Sequence, residues 1–146
     1  MDKSWGLTGK ILAREKTIES RWSVSRRKPW GAVKAGDMIF FKNAGEPAKM
    51  KAGVRRVMQF DGLTPPRVRQ LLRKYGKADG IAPKDQAVFF KRFRSRKYCT
   101  LIFLEDPQAV RPFGIDKEGF GSMAAWITVR NIAEIADKRK RRAGEK

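Results

Sequence analysis

Short runs rich in β-branched, aromatic and other apolar residues, separated by turn-forming residues, are the feature that most limits the fold of this chain. The runs are four to seven residues long, the usual length of a strand, and they cover residues 38–41, 54–60, 87–90, 98–104 and 126–129. A further short strand is predicted at 110–115, and Gly and Pro mark the turns, as at 43–47. Because helices do not alternate with these runs, they predict an α+β domain built on a small, mostly antiparallel, barrel-like sheet flanked by helices.

One helix has both ends marked in the sequence. Thr64 suits the cap, Pro65 suits the first turn and Gly76 suits the end. Between them lies an apolar stripe of Val68, Leu71 and Leu72. The segment from about residue 8 to 21 is predicted to be a short helix that leads into an extended exit, and 131–137 to be a terminal helix.

The net charge of the chain indicates which class of molecule it binds. The 146 residues include 34 Lys and Arg against 15 Asp and Glu, a formal net charge of +19, and such a field attracts polyanions and opposes self-association. We therefore expect nucleic acid as the partner and a monomer. Because no apolar run approaches the roughly 18 residues of a membrane span, and residues 1–5 lack a signal peptide's apolar core, we expect a soluble, cytoplasmic protein without a membrane partner. Residues 1–137 are predicted to form one domain, and the basic tail 138–146 to be disordered.

Two absences limit the chemistry. The chain has no histidine and one cysteine, which excludes Ser-His-Asp and Cys-His triads, histidine- or cysteine-based zinc clusters and an internal disulfide. We expect neither a metal nor a cofactor. Cys99 lies in an apolar run and is interpreted as a buried, inert thiol.

A compact cluster of opposed charges, Lys16, Glu19 and Arg21, stands just before Trp22. One interpretation is a surface ion pair at the end of a helix, worth about 0.2–0.5 kcal/mol. The other is a ligand site, in which Lys16 could lose its proton beside Glu19 in a low-dielectric pocket and act as base or nucleophile. Arg21 would then offer a fork for phosphate or carbonyl oxygen, and Glu19 could instead accept from the exocyclic amine of a base.

Aromatic and basic residues alternate in two further segments. Trp22 and Trp30 flank an arginine-rich loop that contains Arg26, Arg27 and Lys28, and they belong either to the core or to a platform on which bases stack. The second segment is predicted to be the tip of a hairpin, either a charged strand edge or a phosphate contact. Its basic residues are Lys91, Arg92, Arg94, Arg96 and Lys97.

The cluster also resembles a known motif. Residues 16–21 match the Lys-x-x-Glu-x-Arg part of the signature of ASCH domains, a branch of the PUA-like superfamily, although Arg14 stands where the family has glycine. Three later segments fit the family pattern in order: Pro29-Trp30, Lys34-Ala35-Gly36-Asp37 before a strand, and Leu63-Thr64-Pro65 before a helix. The resemblance therefore runs along most of residues 5–132.

The resemblance implies a PUA-like β-barrel of five or six strands with helices around it, and a cleft for RNA or a nucleotide-like ligand lined by Lys16, Glu19, Ser20, Arg21, Trp22 and Trp30. Some members are amidohydrolases that deacetylate N4-acetylcytidine with a lysine, a threonine three residues later and a distant glutamate. Lys16 matches that lysine, Glu19 replaces the threonine, and Asp79 is only a loose candidate for the distant acid. Ribonuclease activity has also been attributed to members, and relatives of the YTH and EVE kinds hold a modified base in an aromatic cage.

Two functions of different classes follow as hypotheses. The first is a nucleic-acid-binding module, with RNA favoured over DNA, in which the basic segments hold the backbone and the cleft receives a nucleotide. The second is a hydrolase of the same fold, an N4-acetylcytidine amidohydrolase or a ribonuclease, with Lys16 and Glu19 as catalytic residues. A weaker third is a protein-interaction role in which charge only provides localisation.

Overall fold

The computed structural model describes residues 7–42 and 45–113. The strand predicted at 126–129, the helix at 131–137 and the tail at 138–146 lie outside these residues. The helices are α1 (Leu7–Leu12), α2 (Pro65–Tyr75) and α3 (Gln86–Phe93), with a 3-10 turn at Pro83–Asp85, and the strands are β1 (Ile18–Ser23), β2 (Met38–Phe41), β3 (Ala48–Phe60) and β4 (Tyr98–Phe113). None of the helices in the described ranges is long and apolar enough to cross a bilayer.

The four strands form one antiparallel sheet in the order β1-β4-β3-β2. The α+β class is therefore confirmed, but the prediction of a closed barrel is wrong for the described residues, where β1 and β2 are opposite edges. The loop after α2 covers part of the β1 edge, because the Thr17 and Ile18 amides donate to the Ala78 carbonyl at 2.7 and 3.0 Å. The β3–β4 register shifts at three places, which bends this long strand pair.

Each face of the sheet carries a core, because successive residues of a strand point to opposite faces. On one face, Cys99 and Leu101 of β4 pack with the apolar stripe of α2 and with Phe89 of α3. On the other, Ile102 and Leu104 pack with β2, β3 and α1. Cys99 is fully buried, as the apolar run predicts, and burial raises the pKa of its thiol far above the ordinary range.

Helix α2 follows its sequence signals. Thr64 occupies the N-cap position, where its carbonyl accepts the Val68 amide at 2.9 Å, although its hydroxyl makes no capping bond. At the other end the Gly76 amide donates to the Leu72 carbonyl at 2.8 Å. The side-chain amide of Gln86 donates to the same oxygen at 2.8 Å, which fixes the start of α3 to the end of α2.

The segment from about residue 8 to 21 is a short helix with an extended exit, as predicted, because α1 ends at Leu12 and pairing with β4 makes Ile18–Ser23 a strand. Arg14 follows the helix in a left-handed conformation, so the charged cluster does not lie at the helix end. Two further interpretations are wrong. The apolar run 87–90 is part of α3, whose buried residue is Phe89. The runs at 98–104 and 110–115 are not separate strands, because β4 continues to Phe113 along β3.

Candidate functional site

Lys16 is a buried ammonium at the edge of the sheet, with only 2% of the residue exposed. Its Nζ donates to three oxygens: the Ile18 carbonyl at 2.7 Å, the Asp79 carbonyl at 2.6 Å and Asp79 Oδ1 at 2.5 Å. These three acceptors match the three donors of a protonated lysine. The arrangement therefore uses Lys16 as a charged hydrogen-bond donor that joins β1 to the loop after α2.

Asp79 is the partner that the motif does not contain. It lies in the loop that follows α2, 63 positions beyond Lys16, and its Oδ2 accepts the Ser20 hydroxyl at 2.5 Å. Burial raises its pKa from 3.8 to about 6, and the charge of Glu19 adds to the rise, whereas Lys16 and the bond from Ser20 oppose it. The carboxyl is therefore mainly ionised at neutral pH and gains a proton in mildly acidic solution.

Glu19 lies on the other side of the Lys16 ammonium. One carboxylate oxygen, Oε2, is 3.8 Å from Lys16 Nζ, and the other, Oε1, is 3.6 Å from Arg21 Nε. The Glu19 side chain is 8% exposed, yet within the described ranges Oε2 accepts no hydrogen bond. A buried carboxylate oxygen without a donor is costly, so this arrangement needs an explanation beyond stability, although the atom itself is closed to solvent.

The alternation of β1 determines how these groups are arranged. Glu19 and Arg21 pair with Ile102 and Thr100 on one face of the sheet, whereas Ser20 pairs with Leu101 on the other. The Lys16 ammonium lies between the two faces, since it contacts both Glu19 and the Asp79 that binds Ser20. The interpretation of a helical surface ion pair is therefore wrong, because the lysine and the glutamate are buried and neither is on a helix.

The two tryptophans have different surroundings. Trp22 stacks on Phe93 with ring centroids 4.9 Å apart and planes 9° apart, and its Nε1 donates to the Ser20 hydroxyl at 3.0 Å. Trp30 meets Tyr98 edge-on at 5.1 Å. Both tryptophans are half-buried, and one face of Trp22 is covered by Phe93.

The basic segments, which are distant in sequence, meet at one end of the β1–β4 pair. Ser23 pairs with Tyr98 and its carbonyl accepts the Lys97 amide at 3.0 Å, while Arg26 Cζ lies 5.7 Å from the centre of the Tyr98 ring. The predicted hairpin is wrong: Lys91 and Arg92 lie on α3, and the other three residues lie in the turn from α3 to β4. We call the group that meets here the basic surface: Arg26, Arg27, Lys28, Arg94, Arg96 and Lys97.

The local sequence does not indicate that Asp79 lies beside Lys16, or that Phe93 and Tyr98 lie beside Trp22 and Trp30. The aromatic pair Trp22 and Phe93 depends on α3 being a helix, and no local pattern marks a carboxylate 63 positions away as the partner of Lys16. The only signal for Asp79 in the sequence is the resemblance to the amidohydrolases, in which it is a loose candidate for the distant acid. Within residues 7–42 and 45–113, no group of three or more His, Cys, Asp or Glu could hold a metal ion.

Solved structures share this architecture. The crystal structure of ASCH from Zymomonas mobilis superimposes with a TM-score of 0.59 at 19% identity, covering 88% of this chain and 85% of that one. One single-residue mutant of the same protein gives a TM-score of 0.62 at 16% identity, covering 94% of this chain and 95% of that one. A second single-residue mutant gives a TM-score of 0.61 at 17% identity, covering 94% of this chain and 89% of that one. This chain has an ASCH-like fold. At these identities the likeness is one of fold, and scans of family sequence models and of curated protein sequences find no match.

Proposed function

We propose that this ASCH-like chain is a nucleic-acid-binding module that prefers single-stranded RNA and acts as a cytoplasmic monomer. The observation that carries the proposal is the convergence of two basic segments, about 70 positions apart in sequence, at one end of the β1–β4 pair. Exposed arginines and lysines that are gathered in this way attract phosphates and release counterions on binding. The net charge of +19 supports the same partner.

The cluster of Lys16, Glu19 and Arg21 is the proposed nucleotide site. Glu19 lies four residues before Ser23 on β1, which separates it from the basic surface by roughly 14 Å along the strand. A strand whose phosphates lie on the basic surface would thus have a nearby nucleotide within reach of Glu19. Its Oε2 is buried, so the Glu19 side chain would have to turn outward to accept a hydrogen bond from an amino group of the base.

Salt dependence tests the binding proposal. We expect the affinity for a labelled single-stranded RNA, measured by fluorescence anisotropy, to fall steeply between about 50 and 200 mM salt. The double variant Arg27→Gln with Lys28→Gln should reduce the slope of log K against log salt by about 1.4, because each lost phosphate contact removes about 0.7 for a single strand. An affinity that does not change with salt concentration would exclude an electrostatic contribution to RNA binding.

A control variant with the same loss of charge is Lys49→Gln with Arg111→Gln, exposed residues of β3 and β4 toward the end of this strand pair away from Tyr98. It should leave the slope unchanged if the basic surface is the binding region. An equal fall in both variants would mean that only net charge matters. Competition by unlabelled DNA of the same sequence tests the preference for RNA.

One observation favours a hydrolase as the second candidate. The Ser20 hydroxyl donates to the Asp79 carboxylate, whose pKa of about 6 is close to that of a useful general base, and Lys16 contacts the same carboxylate. In this alternative Asp79 takes the proton of Ser20 or of a water molecule that attacks an acyl or phosphoryl group. The fully bonded Lys16 ammonium would stabilise negative charge, because its three donors leave no lone pair for attack.

An assay for substrate turnover distinguishes the hydrolase from the binding module. Purified protein would be incubated with N4-acetylcytidine and, separately, with labelled RNA, beside the variants Lys16→Ala and Ser20→Ala, whose folding is verified by circular dichroism. A hydrolase predicts product that both variants strongly reduce. Absence of product, or equal product from the variants, would remove this candidate and leave the binding module.

A further inference from the structure

A groove between α2 and α3 lies outside the site described above. It has a volume of about 270 Å³ and an apolar floor formed by Leu72, Pro83, Ala87 and Phe90. Its rim carries three cations, Arg69, Arg73 and Lys84, all of them exposed. None of the described residues that line the groove is acidic.

The groove is preformed. The Gln86 side chain donates to the Leu72 carbonyl at 2.8 Å, and this bond fixes the start of α3 against the last turn of α2. On the rim, the guanidinium carbon of Arg69 lies 3.9 Å from the centre of the Phe90 ring. An arginine whose guanidinium lies over an aromatic ring offers a planar group on which a base can stack.

Positive charge continues from the groove to the basic surface. Ala87, Phe90, Lys91 and Arg94 follow the i, i+3, i+4, i+7 spacing, so they lie along one side of α3. The first two line the groove, and Arg94 begins the turn that belongs to the basic surface. Helix α3 is about 12 Å long, so Lys91 and Arg94 bridge the two regions.

We infer that the α2–α3 groove is a second nucleic-acid contact, in which Arg69, Arg73 and Lys84 hold phosphates of a single strand that also crosses the basic surface. The inference rests on the proposed binding function and extends it from one end of the sheet to the helical layer. The occupant follows from charge complementarity, since the rim is entirely basic and the floor accepts the apolar face of a base.

The test compares the double variant Arg73→Gln with Lys84→Gln against the control variant Lys49→Gln with Arg111→Gln, using labelled single-stranded oligonucleotides of 4, 8, 12 and 16 nucleotides. Loss of two phosphate contacts should lower the salt slope by about 1.4 and weaken binding of the longer oligonucleotides by roughly 10- to 30-fold at 0.1 M salt. The shortest oligonucleotide, which cannot reach both regions, should be affected less. Thermal melting confirms that both variants fold.

The outcomes distinguish the inference from the function on which it rests. If the unmodified protein binds no oligonucleotide, both fail. If it binds with a steep salt slope but the groove variant behaves like the control at every length, the groove inference alone is overturned. Loss of binding to an acidic peptide or to anionic vesicles, with oligonucleotide binding intact, would also overturn it, because the groove would then serve another polyanion.

Discussion

At the residue scale, the buried Lys16 is the group on which the local structure most depends. It joins Asp79 from the loop after α2 to the carbonyl of Ile18, and its Nζ also lies 3.8 Å from Glu19 Oε2. The motif predicted that Lys16 and Glu19 belong together, because they are close in sequence. It could not identify Asp79 as the main partner, since that contact depends on how the chain returns after α2.

Removing the Lys16 charge should destabilise the fold strongly. We expect Lys16→Met to lower the free energy of unfolding by about 3–5 kcal/mol, because Asp79 and Glu19 would be left as buried carboxylates without their cation. Urea denaturation measures the loss. The control Lys77→Met, at an exposed position in the same loop, should change stability by less than about 0.5 kcal/mol.

Adding Asp79→Asn to Lys16→Met should recover part of the loss, because it removes one of the unpaired charges. A double variant that is as unstable as the sum of its single substitutions would contradict a direct Lys16–Asp79 interaction.

The raised pKa of Asp79 predicts a specific pH dependence. The native state holds this proton more tightly than the unfolded state, so the contribution of Asp79 to stability is complete below about pH 4 and is lost as pH rises through about 6. The unfolding free energy of the protein minus that of Asp79→Asn should therefore fall by up to about 3 kcal/mol across this range and stay level above it. A difference that rises with pH would mean that pairing with Lys16 outweighs burial.

At the element scale, α2 and α3 show why one helix was predictable and the other was not. Thr64, Pro65 and Gly76 mark the ends of α2 in the sequence, and its three apolar residues have helical spacing. In α3 the run Ala87-Val88-Phe89-Phe90 has no such marks and is equally typical of a strand. The helical state depends on contacts that the run does not contain, including the Gln86 bond to α2 and the stacking of Phe93 on Trp22.

The junction between these helices should not tolerate a side chain at Gly76. A Cβ at this position would overlap the Leu72 carbonyl oxygen and the Gln86 side-chain amide, although the backbone conformation itself suits any residue. We expect Gly76→Ala to lower the free energy of unfolding by about 1–3 kcal/mol because the Gln86 bond must move. Chemical denaturation measures this change.

Gly9→Ala is the matched control, because a Cβ there meets no atom within 4 Å. Equal effects from the two substitutions would contradict the close approach at the junction. The test also examines the groove, since the same Gln86 bond determines its width.

At the scale of the whole molecule, the net charge indicates a polyanionic partner, but it does not indicate which surface would bind that partner. The basic segments around residues 26–28 and 94–97 were both visible in the sequence, yet their meeting depends on the register of β1 with β4. The same register explains the error about the barrel. Strand-like runs indicate a sheet, but whether its edges meet depends on pairings that no single run specifies.

The net charge also predicts an unusual response to salt. Repulsion among the cations should destabilise the compact state at low ionic strength, so raising NaCl from about 10 to 300 mM should raise the melting temperature in differential scanning calorimetry. A single-stranded RNA at 100 times its Kd should stabilise the protein by about 2.7 kcal/mol at low salt. A melting temperature that falls with NaCl would mean that the ion pairs outweigh the repulsion.

The enclosure of Lys16 makes it an internal reporter of conformational opening. Amine-acylating reagents need an accessible, unprotonated nitrogen, and this one is buried with all of its donors in use. During brief labelling the exposed lysines should react first, whereas Lys16 should react only when β1 separates from the loop that carries Asp79. The rate of Lys16 acylation, measured by mass spectrometry, would therefore report how fast two parts of the chain that are 63 residues apart separate.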